Sequence, residues 1–366
     1  MALVTDSAYA RAGVDTGRAE RAVAGLVEVL ATIDTGRRSR ATLGSGHYAN
    51  VIALDERSGI ALSTDGVGSK VLVAQELERF DTVGIDCVAM NVNDVVCVGA
   101  TPLALLDYIA VEQAEPTLLR ALAEGLKAGA EAAGVEIPGG EVAQLPELIR
   151  GHPSPWGFDL VGACVGSIEL DRIVTGERVA PGDAVIGLPA SGVHSNGLTL
   201  ARSALPDLAE TPAELGGLTV GETLLEPTAI YVRAVLELLA SEVDVRGLAH
   251  ITSGGLLNLL RLEAPTGYRI DSPLPRPPIF GLIARRSGAG EGELLEVFNM
   301  GCGFCCVVAA DHAGAAIECL GERHPGTAVI GTATTAAGLV ELPESGIVGR
   351  AGEGFAPSRR APRGGR

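Results

Sequence analysis

The sequence predicts an α+β chain made of two α/β domains. Three observations carry this. A length of 366 residues leaves room for two cores. Aliphatic runs of strand length alternate with stretches of helical period through most of the chain. Loop signals, Asp171-Arg172-Ile173 and Pro181-Gly182-Asp183, cluster near residue 170. The expected division is residues 1–170, residues 171–346 and a tail at 347–366. Hydrophobic residues make up 47% of the chain and aromatics 3%, so both cores must be aliphatic. A net charge of −17 argues against nucleic-acid binding through a broad basic face, but leaves room for a local cationic phosphate pocket. The seven cysteines show no framework spacing, and the first thirty residues lack a continuous apolar core. No run approaches the ~18 apolar residues of a membrane span. The expectation is a reduced, cytosolic compartment, with neither nucleic acid nor membrane as partner.

In the N-terminal half, Asp15 suits a turn or helix cap, and Arg18 to Leu30 has amphipathic helical period. Arg37, Arg38 and Arg40 read as a solvated loop. Gly44, Ser45, Gly46, His47 and Asn50 form a flexible polar loop able to fold over a triphosphate. It is not a P-loop, because no Gly-Lys-Ser/Thr follows. Ile60 to Leu62 reads as the end of a strand, followed by the stretch STDGVGSK, Ser63 to Lys70. There Asp65 suits a hard cation such as Mg²⁺, Gly66 and Gly68 allow close backbone approach, and Lys70 suits phosphate. An ordinary Asp-Gly turn between two strands accounts for the same residues.

Asp81 to Val98 predicts a helix capped by Asp81 and closed by Gly99. Ile85, Val88, Val92, Val95 and Val96 share one face, with Asp86, Asn93 and Asp94 opposite. Those three make either a solvated face or, since Asp and Asn are poor helix formers and good ligands, part of a site. Asp65 and Asp94 together have the chemistry to hold Mg²⁺ while nucleotide phosphates supply further ligands. A strand is expected at Thr101 to Val111, and a helix at Pro116 to Ala133 with Gly134 beyond its end. A short strand at Val135 to Ile137 is followed by Gly139-Gly140-Glu141, which repeats the logic of Asp65. Leu145 to Gly157 reads as a loop or lid, and Phe158 to Ile168 as a long strand.

The second domain opens with a strand at Ala184 to Leu188. SGVHSNG, Ser191 to Gly197, then runs into a helix, an arrangement suited to an anion, with His194, Ser195 and Asn196 as donors. HITSGG, followed by an apolar helix, repeats the design at Ser253, Gly254 and Gly255. Phe298 to Ala309 is a strand whose Cys302, Cys305 and Cys306 read as core residues. Asp311 caps a helix to about Glu322, and Thr327 to Thr332 is a strand. From Ile347 the Gly-, Pro- and Arg-rich tail is expected to be disordered.

Taken in order, YARAGVD, STDGVGSK, DTVGIDCVAMNVND, GGE, FDLVGACVG, SGVHSNG, HITSGG and FNMGCG resemble the phosphoribosylformylglycinamidine cyclo-ligases, or AIR synthetases. The resemblance spans Tyr9 to about Thr332. It implies an ATP-dependent ligase of de novo purine synthesis, and a homodimer whose N-terminal mixed sheets form a shared barrel, with the C-terminal sheets and their flanking helices outside. It implies Mg–ATP held by Asp65 and Asp94, with Glu141 as a further metal ligand and Lys70 on phosphate. Gly44, Ser45, Gly46, Gly66, Gly68, Asn91, Gly139 and Gly140 become nucleotide contacts. Ser191, His194, Ser195, Asn196, Ser253, Gly254 and Gly255 become contacts to the amide ribonucleotide, with His194 also in the chemistry.

Four places depart from the family pattern: the LGSGHYAN loop, Gln144 in place of an acid, Val193 in place of proline, and Ser253 in place of a first glycine. They leave two alternatives, a paralogue phosphorylating another acceptor and a nucleotide-binding protein without turnover. The related selenophosphate synthetases carry a reactive residue in an N-terminal loop, whereas the first cysteine here is Cys87, inside a predicted helix.

Overall fold

The computed structural model describes residues 7–44 and 46–358. The N-terminal half contains α1 (Ala8–Arg11), α2 (Thr16–Leu30), β1 (Asn50–Ala53), β2 (Ser58–Gly66), α3 (Lys70–Leu77), α4 (Val83–Cys97), β3 (Thr101–Val111), α5 (Pro116–Ala133), β4 (Glu136–Gln144) and β5 (Phe158–Glu169). Local chemistry sets several ends. Asp15 caps α2 through a bond from the Arg18 amide (2.9 Å). Pro116 opens α5, and Gly134 closes it in the left-handed conformation at φ 77°.

The five strands form one mixed sheet in the order β1-β2-β5-β3-β4, in which only β3 and β4 run parallel. Helix α4 lies across one face. Glycines on β5 admit it: a Cβ on Gly162 would meet the Asn91 amide at 2.6 Å, and one on Gly166 would meet Val95 at 2.6 Å. Helix α5 packs behind α4. The sheet's other face is apolar and open, with Leu62, Leu103, Leu106 and Tyr108 each 42–49% exposed.

The C-terminal half contains β6 (Ala184–Pro189), α6 (Leu198–Ala204), α7 (Val220–Leu225), α8 (Val232–Ala240), β7 (Val245–His250), β8 (Gly267–Ile270), α9 (Pro278–Ser287), α10 (Glu291–Val297), β9 (Cys302–Val308), α11 (Ala313–Gly321), β10 (Ala328–Thr334), β11 (Leu339–Leu342), β12 (Ile347–Arg350) and β13 (Gly354–Pro357). Its eight strands are ordered β13-β12-β11-β8-β10-β6-β9-β7. A 3-10 turn at Gly255–Arg261 replaces the expected apolar helix after HITSGG. Cys302, Cys305 and Cys306 are buried free thiols, as core residues should be. Both halves thus combine a mixed sheet with flanking helices, the α+β architecture expected, and the described residues of one chain form no closed barrel.

Several expectations need correction. Strand β2 runs on through Asp65 to Gly66, so Asp65 sits in a ladder rather than in a turn, paired with Gly162. Strand β4 likewise includes Gly139, Gly140 and Glu141. Helix α4 starts at Val83 with Thr82 before it and no side-chain cap, so Asp81 is not the N-cap. Its polar face is not solvated: Asp86 and Asn93 are fully buried, because the C-terminal half packs over them. The tail is not uniformly irregular. Strands β12 and β13 extend the C-terminal sheet, with Ile347 and Phe355 in the core and the Phe355 amide bonded to Glu296 (2.6 Å). Arg359 and Arg360 lie outside the described residues.

Candidate active site

Helix α4 is sandwiched between the two halves, and some of the predicted residues, Asp65, Asn91 and Asp94 among them, lie on or against it. The Asp65 backbone amide donates to Asn91 Oδ1 (3.0 Å), and Asn91 Nδ2 donates back to the backbone carbonyls of Asp65 (3.1 Å) and Cys87 (2.9 Å). Asn91 therefore fixes the end of β2 against α4. The Asp65 carboxylate accepts from the Gly66 amide (2.7 Å). Burial raises its pKa, the Gly66 bond opposes that, and the nearby Asp94 charge raises it further. His250 opposes that last effect. Asn91 and Asp94 are three apart on α4, so Asp94 stands on the turn next to the one that Asp65 is bonded to.

Asp94 Oδ1 accepts from His250 Nδ1 (2.9 Å), at the end of β7. The His250 ring is wholly buried, and the Asn93 amide nitrogen lies 3.5 Å from its Nε2. Asn93 also donates to the Ala229 carbonyl (2.9 Å) and accepts from the Tyr231 amide (2.9 Å). His250 was not among the predicted site residues. The signal was its place at a strand end, but its partner is 156 positions away.

Neither Asp65 Oδ2 nor Asp94 Oδ2 has a hydrogen-bond partner among the described residues. Two hard carboxylate oxygens without protein partners, on elements joined through Asn91, suit Mg²⁺. No group of three His, Cys, Asp or Glu side chains among the described residues forms a ready metal cage. A metal here would therefore complete its shell with phosphate and water.

Glu141 does not join the pair within one chain. Asp65, Gly162, Asp107 and Gly140 form one row across four strands, which puts Gly140 ~14 Å from Asp65 at ~4.8 Å per strand. Glu141 pairs with Tyr108 on the open face. Gly139 and Gly140 are equally remote. The carboxylate that does share the row is Asp107, its pKa raised by burial; a Cβ on Gly140 would strike it at 2.1 Å. An acid inside the apolar run LALLDYIAV was the overlooked signal.

Lys70 is also reassigned. Its ammonium is buried, 2.9 Å from Asp86 Oδ2 and 3.0 Å from Oδ1, and donates to the Glu226 carbonyl (2.6 Å). Asp86 Oδ1 also accepts from the Thr228 amide (2.8 Å) and hydroxyl (2.5 Å). With its donors turned into this pair, Lys70 fastens α3 and α4 to the C-terminal half rather than touching phosphate. The preceding turn still meets that half. Gly68, at φ 70°, lies against the Ser195 carbonyl, and the Ser69 and Thr199 hydroxyls are 3.0 Å apart.

The two C-terminal turns meet. Ser253 Oγ donates to Asn196 Oδ1 (3.0 Å), leaving the Asn196 amide nitrogen without a partner among the described residues. Gly255 is required by geometry: φ is 54°, and a Cβ would lie 2.0 Å from the Leu295 carbonyl. Gly254 also has positive φ. Ser195 Oγ is 3.5 Å from Thr228 Oγ1, and Ser191 Oγ donates to the Pro227 carbonyl (2.5 Å).

His194 is buried at φ 64°, with Nε2 accepting from the amides of Ser191 (3.2 Å) and Ala229 (3.5 Å). Burial, then the neighbouring His250 and Lys70, hold its pKa well below 6.5. It is a neutral ring, not the surface donor expected of this turn. Its effect on stability has a definite sign. Below pH 6.5 the unfolded chain binds a proton that folded His194 refuses, so stability present above that pH is lost as pH falls. The urea midpoint of wild type is expected to drop more steeply from pH 7.5 to 5.5 than that of His194→Gln. Equal slopes would contradict this.

The glycine-rich loop docks on the C-terminal half. Arg261 Nε donates to the Gly46 carbonyl (2.8 Å), the Tyr48 hydroxyl donates to the Asn258 carbonyl (3.3 Å), and His47 Nε2 is 3.0 Å from Glu263. Gly44 is exposed with open space around it, and Ser45 lies outside the described residues. A cavity of about 730 Å³ lies elsewhere, on the open sheet face between Leu103, Val165, Arg172 and Leu239. It shares no lining residue with the acid pair.

Fold and site together define a two-domain α+β protein in which Asp94 of one half bonds His250 of the other, at the start of the segment that leads into the Ser253–Gly255 turn. The family model for the AIR synthase related protein N-terminal domain matches residues 46–168, and that for the C-terminal domain matches 180–341. The chain belongs to the AIR synthase related family. Its curated relatives include proteins named phosphoribosylformylglycinamidine cyclo-ligase. The one from Methanothermobacter thermautotrophicus is 47% identical, covering 91% of this chain and 96% of its own. The one from Pyrococcus furiosus is 44% identical with the same coverage. Among solved structures, the hydrogenase maturation protein HypE aligns with a TM-score of 0.58 at 23% identity, covering 82% of this chain and 88% of its own. AaThiL complexed with AMPPCP and TMP aligns at 0.57 and 18% identity, covering 81% and 87%. These two likenesses speak to fold alone.

Proposed function

We propose that this chain is an ATP-dependent cyclo-ligase that closes the imidazole ring of aminoimidazole ribonucleotide from formylglycinamidine ribonucleotide. The observation that carries the reading is the bond from Asp94 on α4 to His250, three residues before the Ser253 turn that meets Asn196, in a chain 47% identical to a named cyclo-ligase. ATP binding is supported further by the fold shared with a protein solved with AMPPCP.

The chemistry suits such a site. An amide oxygen is a poor leaving group. The γ-phosphoryl of ATP passes to that oxygen, ADP departs, and the amide becomes an imidate phosphate. A nitrogen of the same molecule attacks the activated carbon, phosphate leaves with the former amide oxygen, and a proton is lost. The protein's part is alignment and charge stabilisation. Bound Mg²⁺ would neutralise phosphate charge, held by Asp65 and Asp94. In this reading His250 orients Asp94, Asn91 holds the Asp65 backbone, and the unpartnered Asn196 amide donates to the acceptor. The test is direct. With acceptor labelled by ¹⁸O in its formyl group, one labelled oxygen should appear in phosphate per turnover. ADP release independent of acceptor, or unlabelled phosphate, would overturn the reading.

The active species in this reading is a homodimer in the cytoplasm. Support comes from the open apolar face carrying Leu62, Leu103, Leu106 and Tyr108, an area of the kind that marks interaction sites. No helix among the described residues is long and apolar enough to cross a membrane. Leu106→Glu should halve the mass seen by light scattering while leaving the fold intact by circular dichroism. An unchanged mass would count against pairing through this face.

A further inference from the structure

We propose that Arg261 is a positioning residue that couples nucleotide binding to acceptor binding. The inference rests on the functional reading above, with the Gly46–Tyr48 segment on the nucleotide side and Ser253–Gly255 on the acceptor side.

The argument starts from what holds each side. The first segment has little support of its own. Gly46 has φ 108°, with open space where a Cβ would stand. Its anchors are residues 258–263 of the other half. Arg261 Nε donates to the Gly46 carbonyl (2.8 Å), and the guanidinium lies 3.8 Å from the centre of the Tyr48 ring. The acceptor turn is held by the same residues. Arg261 Nη1 reaches Asn258 Oδ1 (3.4 Å), and the Asn258 amide donates to the carbonyls of Ser253 (3.0 Å) and Gly255 (2.9 Å). The Tyr48 hydroxyl closes the circuit on the Asn258 carbonyl (3.3 Å). Asn258 is buried, and Ser253 in turn bonds Asn196.

One planar cation thus bonds a backbone carbonyl on one side, stacks on an aromatic ring and bonds the amide that fixes the opposite turn. A guanidinium can do all three at once because its donors are rigidly forked and its face is flat; an ammonium cannot. A ligand that orders the Gly46–Tyr48 segment therefore orders Asn258 and the Ser253–Gly255 turn, and the reverse. By linkage the effect is the same in both directions. The arrangement uses His47 and Tyr48, within the loop where this chain departs from the family pattern.

The test measures coupling rather than affinity. Calorimetry with Mg²⁺ and AMP-PNP, with and without saturating formylglycinamidine ribonucleotide, gives the ratio of the two dissociation constants. Wild type is expected to bind the nucleotide about tenfold tighter with acceptor present, inside the usual range for coupled sites. In Arg261→Met and in Arg261→Lys the ratio should fall to about one, while each single-ligand dissociation constant changes by less than about threefold. Tyr48→Phe, which keeps the stacking and loses the hydroxyl, should give an intermediate ratio. A residue that only props up the fold would weaken both ligands and leave the ratio alone. A wild-type ratio of one, or an unchanged ratio in Arg261→Lys, would overturn the proposal while leaving the functional reading standing. Failure of wild type to bind either ligand would overturn both.

Discussion

Asp94→Asn and Asp65→Asn should each lower kcat by roughly 10²–10³, the scale of losing one preorganised electrostatic contact to a reacting centre. Both substitutions keep shape and most hydrogen bonding. An amide oxygen at position 94 still accepts from His250 Nδ1, and one at position 65 still accepts from the Gly66 amide. What disappears is the negative charge. The effect on stability should run the other way. The Asp94 charge now raises the Asp65 pKa, so removing it relieves repulsion in the protein without ligands. Melting without ligand should stay level or rise slightly, while the stabilisation given by Mg–ATP shrinks. Steady-state turnover and thermal shift, run side by side, check both halves. If both variants keep full activity, the acids are not the metal-nucleotide site.

Breaking the Lys70–Asp86 pair should cost about 3–5 kcal/mol. Both groups are buried, and Lys70→Met would leave the Asp86 charge with only the Thr228 amide and hydroxyl for company. Against the ~5–15 kcal/mol that usually separates folded from unfolded chains, that is a large share. Lys70→Met with Asp86→Leu, which removes both charges, should recover much of the loss, since desolvating an ion pair consumes most of what its attraction returns. Urea titrations of the single and double variants measure it. A single variant of wild-type stability with lost nucleotide affinity would instead restore Lys70 to the phosphates.

What the sequence revealed follows from how far each signal reaches. Helix α5 was legible end to end because Pro116 and Gly134 act on their own neighbours. Asp65 and Asp94 were legible as acids in unusual company, and their nearness follows from β2 and α4 packing together through Asn91. Lys70 was misread because its partners come later: Asp86 is 16 residues on, and Glu226 is 156. Beside two glycines it looked like a phosphate ligand, and nothing local revealed that it is buried. His250 was hidden for the same reason, while Asp107 stood in plain view in an apolar strand. Glu141 was misassigned because the motif Gly-Gly-Glu carries no record of how many strands separate it from Asp65. The hairpin of β12 and β13 was missed because Gly and Pro dominate its composition; two buried apolar side chains and an edge to pair with were enough to order it.

The most direct test is a crystal structure of the protein with Mg²⁺ and AMP-PNP. The prediction is a metal with oxygens of both Asp65 and Asp94 at about 2.0–2.1 Å and phosphate oxygens completing its shell. The terminal phosphoryl group should face Asn196 and Ser253. A nucleotide bound instead in the 730 Å³ groove on the open face of the first sheet, with neither acid near its metal, would contradict the account.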